Sequence, residues 1–109
     1  MKHTLESTVS AHLESVFPDA FDPASPLVFN VVAFELWRDH IGWTCNDSWR
    51  IAHAVTAEGV LEAARGRWEV FKANYFSRAR VRDIKDNGFD ERISLEVDGL
   101  PFLEIYLAE

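Results

Sequence analysis

Leu5, Val9, Leu13 and Val16 recur at spacings of four, four and three. That step puts them on one face of a helix. Pro18 ends the helix, because proline has no N–H to donate and clashes with the preceding turn. The stretch that follows, "PDAFDPASP" (residues 18–26), holds three prolines, two aspartates and a serine and reads as a loop.

Residues 27–41, "LVFNVVAFELWRDHI", show no alternation. Their β-branched and aromatic content favours a strand. Three local signals favour a helix: Ser25 as a cap, Pro26 at the first helical position, and Gly42 just past the end. Fifteen residues is also long for a strand. The pattern therefore predicts a mostly buried helix here. After the turn "WTCNDS", Asp47 or Ser48 is placed to cap a short helix to about Val55. Thr56 is placed to cap the longest helix, Ala57 to about Phe76. Its core face, Leu61, Ala64, Trp68, Phe71 and Tyr75, steps by three, four, three and four.

The last third changes period from 3.6 to 2. Arg78, Arg80 and Arg82 alternate with Ala79 and Val81; Ile93, Leu95 and Val97 alternate with polar residues; Leu103, Ile105 and Leu107 form a third series. These are three half-buried antiparallel strands, with Asn87-Gly88 and Asp98-Gly99 at the turns. Aligning the apolar faces sets Val81 opposite Leu95 and Leu95 opposite Leu103, which needs odd-length loops with glycine in the left-handed region. The expected architecture is one α+β domain over residues 1–109: three to four N-terminal helices packed on one face of a C-terminal three-stranded antiparallel meander.

Composition makes this a globular chain. Of 109 residues 48% are apolar and fourteen are aromatic, enough for one core that buries about two-thirds of the unfolded surface. The single cysteine makes no internal disulfide, no apolar run marks a leader, and no window approaches a membrane span. The expectation is a cytoplasmic protein with no membrane partner, and a buried Cys45.

Charge changes the picture most. The net charge is −7: residues 1–40 and 91–109 carry −4 each, and residues 41–90 carry +1. Such a chain repels nucleic acid unless its bases cluster on one face. Seven Lys or Arg lie between Arg65 and Lys85, interleaved with Trp68, Phe71 and Tyr75. In the expected register Arg82 faces Ser94, Arg80 faces Glu96 and Arg78 faces Asp98, a self-neutralised stripe. No nucleic-acid partner is expected.

The chemistry-bearing motifs are sparse. His40, Cys45 and His53 lack the paired spacing of a structural zinc site, so no metal and no cofactor is assigned. There is no phosphate loop, nucleophile elbow or His-Glu-x-x-His, and no catalytic residue is assigned. Glu35 and Asp39 would share a helix face as repulsive neighbours.

The stretch from Trp37 to Trp49 concentrates three of the four tryptophans. The expectation is that Trp37 and Trp49 pack inward while Trp43 lies partly exposed beside Asp39, Asn46 and Asp47. An aromatic ringed by acids has the composition of a protein contact. The reading is a small acidic binding module of the inhibitor, immunity or counter-defence kind, docking on a protein with a basic surface. Trp43, Asp39 and Asp47 would make contact, and Glu104 and Glu109 would steer. Two alternatives stand beside it. One is a small-molecule-binding or catalytic α+β domain with a pocket between helices and sheet, walled by His53 or Cys45. The other is a subunit that self-associates as a homodimer through the C-terminal edge strand "PFLEIYLAE".

Overall fold

A computed structural model describes residues 4–24, 27–89 and 91–108. Its elements are helix α1 (Leu5–Val16), strands β1 (Phe29–Arg38) and β2 (Trp43–Val55), helix α2 (Ala57–Asn74), a 3₁₀ turn (Val81–Asp83), and strands β3 (Ile84–Asp86), β4 (Arg92–Val97) and β5 (Leu100–Leu107). The strands form one antiparallel sheet in the order β2-β1-β5-β4-β3. The helices pack against it and against each other.

Both helices follow their sequence patterns. Leu5, Val9 and Leu13 of α1 are buried. Thr4 caps its start: the Ser7 N–H donates to Thr4 Oγ1 at 3.1 Å, and the Thr4 N–H donates to Ser7 Oγ at 3.0 Å. That reciprocal pair satisfies two donors the first turn leaves free. On α2, Ala57, Val60, Ala64, Arg67, Trp68 and Phe71 are buried, while Leu61 and Tyr75 pack at the margin of the core. Thr56 holds the cap position but its hydroxyl makes no capping bond.

The expected three to four helices over a three-stranded meander are not what forms. Residues 29–38 and 43–55 are a hairpin of two long strands, and the sheet has five. The reason lies in β5. Phe29–Ala33 pair with Leu107–Leu103 in the middle of the sheet. A helix in that place would leave the β5 backbone unpaired in the core, and buried backbone groups without partners are strongly disfavoured. A further correction follows: β5 lies between β1 and β4, so the C-terminal strand offers no free edge. The edges are β2 and β3.

The Leu95–Leu103 pairing is as expected, but the loop is not odd. Val97 pairs with Leu100 across Asp98 and Gly99, both at positive φ (54° and 80°), the conformation of a type I′ turn. The extra residue sits in a bulge instead, where the partner of Glu96 is Pro101 and Phe102 is unpaired. Phe102 and Leu103 are consequently both fully buried. Val81 does not face Leu95. Residues 78–83 form no strand, and Asp86 takes that position.

The core aromatic cluster is continuous. Trp68, Phe71 and Phe102 meet with centroids 5.2–5.9 Å apart. Phe71 passes the contact on to Tyr75 and Phe76, and both reach Trp43 beside the hairpin turn (5.4 and 5.8 Å).

Candidate functional site

Past Ala33, β1 runs on beyond its β5 partner. The far half of the β1–β2 hairpin is paired only with itself. Two α2-side groups complete its inner edge: Arg67 donates from a terminal guanidinium nitrogen to the Phe34 carbonyl, and the Leu36 N–H reaches the Tyr75 hydroxyl at 3.4 Å. Arg67 is 9% exposed. Its guanidinium lies 5.0 Å from the Trp49 ring and 5.9 Å from the Tyr75 ring, the geometry of a cation–π contact. No carboxylate of the described residues pairs with it. The arginine thus acts as a surrogate strand.

The hairpin turn is built by Asp39. Its Oδ1 accepts the Ile41 and Gly42 N–H groups (2.8 and 3.1 Å), and its N–H donates to the Gly42 carbonyl at 3.0 Å. Short acceptor side chains favour such turns by mimicking a backbone acceptor. Asp39 is therefore an exposed residue with a local structural duty. Strand β2 carries three irregularities against β1, opposite Asn30, between Val31 and Val32, and at Asn46. At the first, Ala54 sits at φ 52° and its N–H is taken up by buried Asn30 Oδ1 at 3.0 Å.

The tryptophans are the reverse of expectation. Trp37 is 62% exposed and Trp49 42%, while Trp43 is half-buried between Tyr75, Phe76 and the Arg38 guanidinium. The expectation assumed a helix corner. Trp43 follows the hairpin turn directly and is covered because its ring lies against Tyr75 and Phe76, whereas Trp37 and Trp49 have no such cover. Ile41, at the tip, is 84% exposed. Cys45 is exposed on the edge strand rather than buried.

Asp47 is exposed and pairs across the hairpin with Glu35, two carboxylates directly opposite each other. Like charges in that position destabilise a strand pair. Neither has an ion-pair partner among the described residues. The hairpin thus gathers Asp39, Asp47, Trp37, Ile41 and Trp49, with Trp43 beside the turn and packed on Tyr75 and Phe76. Glu104 is elsewhere: it lies in central strand β5, 2.8 Å from Arg92. Glu109 lies outside the described residues.

The arginine stripe is not self-neutralised. Arg78 and Arg80 precede the 3₁₀ turn and Arg82 lies in it, and none of the three pairs with β4. Among the described residues no three of His, Cys, Asp and Glu come together as metal ligands. Neither Cys45 nor His53 lines the main groove, which lies beside residues 75–85.

Fold and surface together define an α+β protein whose β1–β2 hairpin exposes Trp37, Ile41 and Trp49. Comparison with protein-family models, curated proteins and solved structures found no match. No helix among the described residues is long and apolar enough to cross a membrane.

Proposed function

We propose that this chain is a protein-docking module whose contact surface is the β1–β2 hairpin. The observation that carries the proposal is the exposure of Trp37, Ile41 and Trp49 on one hairpin that is held from behind by Arg67, Tyr75 and the packing of Trp43. Large exposed apolar groups on a rigid element, rimmed by polar ones, are the usual makeup of an interface core. Preorganisation matters because ordering a loose arm on binding subtracts from affinity.

The partner's chemistry follows from the acids. Glu35 and Asp47 repel each other in the free protein, and a lysine or arginine placed between them relieves that repulsion. The chain's net charge of −7 steers such a partner in. The contact set is revised accordingly. Trp37, Ile41 and Trp49 are the anchors, Asp47 and Glu35 the charge contacts, and Asp39 holds the turn. Trp43 supports from below, and Glu104 contributes only to the overall field. The mode of action is occlusion, as in an inhibitor or immunity protein that covers a basic surface.

The test is affinity capture from the native host at low salt, run in parallel with the wild-type chain, a Trp37→Ser/Ile41→Ser variant and an Asp47→Lys variant. The expected outcome is a stoichiometric basic protein on the wild type, lost from the first variant and reduced on the second. Equal capture by all three chains would place the interface off the hairpin.

A further inference from the structure

A groove of about 670 Å³ opens beside residues 75–85 and the β4–β5 turn. The segment after α2 contributes Arg78 and Arg82; Lys85 of β3 lies cross-strand from Glu96 of β4, and Asp98 comes from the β4–β5 turn. The apolar lining comes from Tyr75, Phe76 and Val97. A shallower depression, lined by Lys72, Ser77, Arg78, Ala79 and Arg80, shares Ser77, Arg78 and Ala79 with it and holds no acid.

Residues 78–85 hold four bases and one acid, net +3, which leaves net −10 on the rest of the chain. Arg78, Arg80, Arg82 and Lys85 are exposed and make no ion pair among the described residues. The acids nearby are partly engaged: Asp83 Oδ2 accepts the Arg80 N–H at 2.8 Å, and Glu96 Oε1 accepts from Asn87 Nδ2 at 3.2 Å. The cations are the uncommitted side.

We infer that this groove binds a mononucleotide-type ligand, a phosphorylated ring bearing an amino group. Its three surfaces divide the recognition. Guanidinium groups take phosphate oxygens in paired, charge-assisted hydrogen bonds. Tyr75 and Phe76 present aromatic surface to a flat ring. Asp98 and Glu96 accept from an exocyclic amine. The volume lies within the range that holds a ligand of this size. Trp43, against Tyr75 and Phe76, gives a built-in fluorescent reporter.

The experiment is calorimetric titration of the full chain with adenosine monophosphate, with adenosine, inorganic phosphate and a short single-stranded oligonucleotide as separate probes. Saturable binding of the monophosphate, weaker binding of adenosine and of phosphate, and a change in tryptophan emission are expected. Arg78→Glu with Arg82→Glu should weaken binding by about tenfold or more, while Arg50→Glu on the hairpin leaves it unchanged. Thermal melts of each variant show that the fold persists. Absence of saturable binding by the monophosphate would overturn the inference. So would inorganic phosphate binding as tightly as the nucleotide, which would leave the aromatic wall without a role. Much tighter binding of the oligonucleotide would assign the face to nucleic acid instead.

Discussion

The two halves of β1 obey different rules. From Phe29 to Ala33 the strand is paired on both sides, with β2 and β5. From Phe34 to Arg38 it is paired on one side only, and Arg67 and Tyr75 supply what β5 does not. The first half is held by strand partners on both sides, the second by β2 on one side and by Arg67, Tyr75 and buried Leu36 on the other. The same strand thus serves as scaffold at one end and display at the other. An element becomes a presentation arm by outrunning its neighbour, provided something behind it satisfies the orphaned backbone.

Three perturbations separate the two halves. Phe102→Ala strikes the scaffold end, where the ring packs on Trp68 and Phe71. It should destabilise the whole chain by about 3–5 kcal/mol, read as a lower urea midpoint. A small change there would mean that the aromatic cluster is not the body's core. Arg67→Met is the sharper probe. It keeps bulk but leaves the Phe34 carbonyl without its donor, an expected loss of about 1–3 kcal/mol. Amide hydrogen exchange should show the effect as faster opening of residues 43–49 with β4 and β5 little changed. Uniform acceleration would refute the surrogate-strand reading. Ile41→Ser should be smallest, within about 0.5 kcal/mol, because the tip touches little. A large shift in melting temperature would mean that the arm supports the body after all.

The same contrast explains what was legible in the sequence. Helices α1 and α2, strand β4 and the part of β5 after its bulge each bury one face, and their periods of 3.6 and 2 say so. The run from Phe29 to Ala33 buries nearly every residue because β1 is central, and a continuous apolar run does not distinguish a strand from a buried helix. In β2 no residue is fully buried and three irregularities break the phase, so no alternation survives. Arg78 to Arg82 alternate like a strand, yet the strand begins only at Ile84. Within Trp37 to Trp49 the spacing predicts Trp37 and Trp49 inside, whereas the structure exposes both and half-buries Trp43. Nothing local marked Arg67, whose role depends on where β5 ends.

The placement of β5 also orders events in time. Phe29 pairs with Leu107 and Ala33 with Leu103, partners seventy to seventy-eight positions apart. During synthesis α1 emerges first, β1 and β2 follow and zip together, and α2 comes after them, yet the middle of the sheet stays open until β5 leaves the ribosome. Contacts this distant along the chain are slow to form, and until they do the nascent chain carries an unpaired apolar strand edge that invites aggregation. Brief chaperone occupancy over residues 29–33 is the expected companion of this topology.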